Sequence, residues 1–133
     1  MTQDFLMSYK YAHKWVELFE QQPNLIPTQV ELYLKGLHNL LAALFMIDHK
    51  VKFDSVQKQL ESLDREDFIH NNENNSVLFF QYKYLNKINQ HFMHGTFTEG
   101  VSIVDDIEKG IEHFENKLDH HRVMNFYYKI GCL

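Results

Sequence analysis

The sequence holds two prolines, five glycines and one cysteine in 133 residues, and these shortages exclude whole classes of protein. An all-β fold would be short of the turn residues that separate strands. Cys132 stands alone, so no internal disulfide can form, and a reducing compartment is the expectation. The longest apolar run, Leu40 to Ile47, falls far below the ~20 residues that span a bilayer. Asp4, Lys10 and Lys14 interrupt the N-terminal apolar residues, unlike a signal peptide. A cytoplasmic protein with no membrane partner is therefore expected. Positive charge is also lacking: the net charge of −5 argues against nucleic acid as a partner, because binding it needs a basic face that displaces counterions.

Catalytic signatures are missing too. The chain has no Gly-x-Ser-x-Gly, no phosphate loop, no dinucleotide fingerprint, no His-Glu-x-x-His and no Glu-x-x-His pair. His91 and His94, Asp67-x-x-His70 and Asp119-His120-His121 are the spacings nearest to a metal site, and each reads better as surface or junction histidine. Asp105, Asp106 and Glu108 flank an apolar stripe, as a solvated polar face does. Phe79-Phe80, Tyr82, Tyr84 and Phe126-Tyr127-Tyr128 read as packing aromatics rather than base-stacking platforms. No catalytic residue, cofactor or metal is assigned.

What is present is helical periodicity. A content of 44% hydrophobic and 23% charged residues suits one globular domain over 1–133. Phe5, Tyr9, Ala12, Val16 and Phe19 recur at steps of three or four, which predicts a helix over about 5–20. Pro23 and Pro27 bracket a break, and Thr28-Gln29-Val30-Glu31 reads as a capping box opening a second helix to about His49. Phe53, Val56, Leu60 and Leu63 mark a third helix. The Asn-rich segment His70–Asn75 reads as a loop before a fourth helix from about Ser76 to His94, which Gly95 stops. Thr96-Phe97-Thr98-Glu99 is a second capping box, and Phe97, Val101, Val104, Ile107, Ile111, Phe114 and Leu118 form the fifth helix's stripe. A sixth helix runs from Asp119 or His120 to the last residue.

This layout recurs. Leu34-Lys35-Gly36, Tyr82-Lys83-Tyr84 and Tyr128-Lys129-Ile130 lie 48 and then 46 residues apart, and Phe53 and Phe97, each expected to open a second helix, lie 44 apart. Recurrence on this scale points to stacked helical hairpins. Gly95-Thr96-Phe97-Thr98-Glu99-Gly100 resembles the helix-turn-helix junction of a tetratricopeptide repeat: Gly95 closes one helix, Phe97 opens the next, and Gly100 lets the two approach. Lys50 to Val56 resembles the same junction, with Val56 where the small residue would stand. The resemblance implies an all-α, TPR-like superhelix of antiparallel helix pairs, about six helices here. It also implies a concave groove, lined by the first helix of each pair, that holds a peptide or another protein.

Aligning the three lysines places Glu31, Lys35, His38 and Ala42 on one helix face, then Phe79, Lys83, Asn86 and Gln90, then Asn125, Lys129 and Cys132. Lys35, His38, Phe79, Lys83, Asn86, Gln90 and Lys129 are thus the expected partner-binding residues, with the lysines facing an acidic segment. Val123, Phe126, Tyr127 and Ile130 give the last helix an apolar face with no following helix to cover it. The chain is accordingly expected either to be the N-terminal part of a longer array or to form a homodimer through that helix. The function expected is a non-catalytic protein- or peptide-binding scaffold. The alternative is a regulatory or sensor domain of a larger protein that binds a signalling peptide or small ligand. A small helical-bundle enzyme or metal protein is the third.

Overall fold

A computed structural model of the chain describes residues 2–22 and 24–114. Among them every regular element is helical: α1 (Thr2–Glu20), α2 (Pro27–Met46), α3 (Lys50–Ser62), a 3-10 turn (Leu63–Arg65), α4 (Asp67–His70), α5 (Glu73–His94) and α6 (Phe97–Phe114). These are six helices, though not the six expected. The one-turn α4 lies between the third helix and the Asn-rich segment, where no helix was expected, and the expected last helix lies outside the described residues.

The helix ends explain the shifted boundaries. Pro27 is the first residue of α2, where its missing N–H costs nothing, so Thr28 lies inside the first turn rather than capping it. Gln29 Oε1 instead accepts from the Ile26 N–H at 3.0 Å. His49 caps α3 by accepting from the Lys52 N–H at 3.3 Å, which starts that helix at Lys50 and leaves Phe53 one turn inside. Asn72 caps α5 by accepting from the Asn75 N–H, so the Asn-rich stretch contributes a cap and a first turn rather than a loop. Gly95 ends α5 at φ 67°, a left-handed conformation that a side chain would strain.

Packing follows from the apolar stripes. Ala12, Val16 and Phe19 of α1 bury against Val30, Tyr33, Leu37 and Leu40 of α2 and join one core with Leu41, Leu44, Phe53, Leu60, Ile69 and Phe79. Trp15 lies beside Gly36 and Phe19 beside Tyr33, so α1 and α2 run antiparallel. α2 and α5 run parallel, because the contacts Pro27–Asn75 and His38–Asn86 both span 48 residues. α3 packs antiparallel on α5, with Asp54 near Gln90 and Gln57 near Lys83. α6 lies against α5 so closely that a Cβ on Gly110 would fall 2.0 Å from the Phe80 ring.

Lys50 and Phe97, which open α3 and α6, are 47 apart, as are the buried pairs Val30 and Val77, Tyr33 and Phe80, and Leu60 and Ile107. The buried pairs Tyr33 and Phe79, Leu34 and Phe80, Leu40 and Asn86, and Gln57 and Ile103 are 46 apart.

Candidate interaction surfaces

The joint between α2, α3 and α5 is polar and closed. Asn86, fully buried, donates through Nδ2 to the Tyr82 carbonyl at 2.8 Å and lies 3.0 Å from His38 Nδ1. The His38 ring stacks on Tyr82 with centroids 4.3 Å apart. Burial, and then the Glu31 carboxylate, raise the Tyr82 hydroxyl pKa above its ordinary value. Gln57, also fully buried, donates to the Lys83 carbonyl at 3.1 Å, and Asn75 donates to the Pro27 carbonyl at 3.1 Å. Gln90 Nε2 donates to Asp54 Oδ1 at 2.7 Å, and His94 Nε2 lies 2.9 Å from the same oxygen. These side chains tie neighbouring helices together, while the amide oxygens of Gln57, Asn75 and Asn86 are buried without a hydrogen-bond partner among the described residues, at a desolvation cost.

Two clefts flank this joint. The first lies between α1 and α2 and encloses about 690 Å³. Its floor is small residues, Ser8, Ala12, Gly36, Asn39, Ala42 and Ala43, and its rims are Tyr11 and Trp15 on one side and Leu32 and Met46 on the other. The rim on α1 continues into an exposed stripe, Met7, Tyr11, Trp15 and Leu18, that faces away from the core. Lys35 sits in this cleft, its Nζ 3.5 Å from Glu31 Oε1.

The second cleft, about 680 Å³, lies between α4, α5 and α6. Phe79, Phe80 and Tyr84 wall it, with Asp64, His70, Glu73, Lys83, Asp106 and Lys109 around the opening. The Lys83 ammonium lies 5.2 Å from the Tyr84 ring centre and 6.0 Å from that of Phe79, in cation–π range. The Tyr84 hydroxyl is pushed up in pKa by burial first, then by Asp106, Asp64 and Glu61.

The residues expected to share one groove are therefore divided. Lys35 lines the first cleft, and Phe79 and Lys83 line the second. His38, Asn86 and Gln90 belong to the polar joint between them. Lys129, Val123, Phe126, Tyr127 and Ile130, with Asn125 and Cys132, lie outside the described residues. The lysines align at 48, whereas buried positions of the two helix pairs recur at 46 and 47, and each residue of slip turns a helix face by about 100°.

Sequence reasoning missed the stripe on α1. Its signal was present, since Met7, Tyr11, Trp15 and Leu18 recur at steps of four, four and three, as the buried set does. Of the histidines singled out for metal, His91 meets Thr96 Oγ1, His94 meets Asp54 and His70 meets the Asp64 carbonyl, while His120 and His121 lie outside the described residues. Among the described residues no group of three or more His, Cys, Asp or Glu converges, and no helix is long and apolar enough to cross a membrane. No protein-family model, curated protein or solved structure matches the chain.

Proposed function

We propose that this protein is a non-catalytic helical binding module of stacked, TPR-like hairpins, and that the cleft between α1 and α2 receives an amphipathic helix from a protein partner. The observation that carries this reading is the continuity of the cleft with the bare apolar stripe of α1. Tyr11 and Trp15 belong to both, and Met7 and Leu18 extend the surface along the helix. A floor of small residues between aromatic and aliphatic rims admits a helix backbone closely, and the rims supply anchors at helical spacing. The recurrence of buried positions at 46–47 residues and the parallel course of α2 and α5 support the repeat reading of the scaffold.

Affinity capture from host extract tests the reading with the unaltered chain, Tyr11→Ala, Trp15→Ala and Lys83→Ala. Partners held by the unaltered and Lys83→Ala chains should be lost with Tyr11→Ala and Trp15→Ala at unchanged melting temperature. Equal recovery by all four chains overturns it.

A second reading, a regulatory domain holding a small ligand, is favoured by the cleft between α4, α5 and α6. Its volume suits a small molecule, and Lys83 is held over two aromatic rings at its wall. Ligand-induced thermal shifts that vanish in Lys83→Glu and persist in Tyr11→Ala would favour it over the first.

A further inference from the structure

Resting on the reading of α1 and α2 as a helix-binding cleft, we infer that the helix it receives is α1 of a second copy of this chain. The two copies pair about a two-fold axis, with the α1 helices antiparallel.

Area is the first argument. Met7, Tyr11, Trp15 and Leu18 are 50%, 68%, 46% and 59% exposed, and Leu32 and Met46, which line the cleft with Tyr11 and Trp15, also keep large apolar side chains in solvent. Together these six offer on the order of 500–700 Å² of mostly apolar surface, at or above the ~300–600 Å² of the largest patch on an ordinary monomer. That approaches the roughly 800 Å² per partner of a standard stable interface.

Shape is the second argument. A two-fold interface must be self-complementary, with each residue's contact returned by the other copy. Steps of four, four and three nearly repeat when the helix is reversed, so Tyr11 meets Trp15 of the second copy while Met7 meets its Leu18. The cleft lining runs from Leu32 to Met46 on α2, about 21 Å of helix, and the 19 residues of α1 span about 28 Å. The incoming helix is thus long enough to cover the cleft, and the pair becomes a bundle of four helices.

Charge is the third. Lys35, which lines the cleft, already faces Glu31, so an acidic partner segment would find that cation taken. Lys14 stands exposed at the edge of the stripe, one turn from Tyr11 and Leu18, and a mostly apolar helix suits such a cleft better than an acidic one.

The 133-residue chain should show a reversible monomer–dimer equilibrium in sedimentation over a concentration series. Trp15 is the sole tryptophan, so its emission should shift to the blue across the same range. The double variant Tyr11→Glu with Leu18→Glu alters two well-exposed side chains. It should raise the dimer dissociation constant about a hundredfold while leaving the helical spectrum and melting temperature unchanged. A monomer at every concentration with constant Trp15 emission overturns the inference, as does a dimer that survives the double variant. A monomer that captures another protein through Tyr11 and Trp15 overturns the second copy as occupant and leaves the helix-binding reading standing. Indifference to these residues in both assays removes both.

Discussion

α1 meets α2 mainly through apolar side chains, with the Tyr33 hydroxyl reaching Glu20 at the edge, while α5 adds to its buried Phe79 a set of hydrogen bonds to α2 and α3. On the α1 side the buried residues are Ala12, Val16 and Phe19. On the α5 side Asn75, Asn86, Gln57, Gln90 and His94 each bond across to a neighbouring helix or its flanking turn. Apolar burial supplies stabilisation without direction, so a helix held that way can present more than one face. A directional bond from a buried amide favours one register, because a displaced N–H would join the amide oxygens of Gln57, Asn75 and Asn86 that are already buried without a partner among the described residues. The α1 side thus shows apolar side chains to solvent, and the α5 side a hydrogen-bonded joint.

The largest expected effect is on the apolar contact. Phe19→Ala empties a site packed against Tyr33 and Trp15 and should destabilise by about 3–5 kcal/mol, read from chemical denaturation. A loss under about 1 kcal/mol would mean that α1 contributes little to the fold, and the comparison would collapse.

Next comes the polar joint. Asn86→Ala removes the bonds to the Tyr82 carbonyl and His38 and should cost roughly 1–3 kcal/mol. Its sharper mark is hydrogen exchange, with protection lost along both α2 and α5 while α1 keeps its own. Uniform loss along all three helices would show that the joint does not fix register separately.

The third expectation is a pH dependence confined to the α5 side. Burial raises the Asp54 pKa, but the bonds from Gln90 and His94 and the charges of His94 and Lys87 outweigh it, so the folded value lies below the ordinary 3.8. A carboxyl depressed on folding adds stability that is present above the unfolded pKa and lost as pH falls through the folded one. Asp54→Asn should therefore lower the melting temperature at neutral pH, and the difference from the unaltered chain should close below about pH 4. A gap that stays constant down to pH 2 would refute that origin.

The smallest effect concerns Gly36→Ala. The added Cβ would meet Trp15 Cδ1 at 2.9 Å and Val16 Cγ2 at 3.3 Å. Alanine in a helix gains about 0.5–1 kcal/mol over glycine, which offsets the cost of moving the Trp15 ring. The melting temperature should change little, but Trp15 emission should shift and association through the cleft should weaken. Unchanged emission would mean that the ring and the cleft floor are not in contact.

Much of the fold was readable from local pattern. The 3–4 spacing of Ala12, Val16 and Phe19, and of Phe53, Leu60 and Leu63, marks faces that the structure buries, because a helix carries residues three and four apart to one side whatever surrounds it. The stop at Gly95 and the start at Phe97 were equally local, and the adjacency of α2 and α5 follows from the recurring hairpin layout. The α2 start misled because Thr28 to Glu31 has the form of a capping box, while Pro27 can occupy the first helical position and begin the helix earlier.

The sequence by itself determined that the chain is helical, roughly where five of its helices lie, and that α1 bears apolar residues at helical steps. Only the tertiary structure decided which of the two stripes on α1 is covered, since both recur at steps of three and four and composition cannot rank them. It also decided how the helices face one another. A motif alignment puts Lys35 and Lys83 in equivalent places, yet they line different clefts, because one or two residues of slip turn a helix face by about 100° or more. The buried amides follow the same logic. Asn75 lies in a run that reads as a loop, and Asn86 lies on a face that reads as open, because a polar side chain is buried only where another helix brings it a partner.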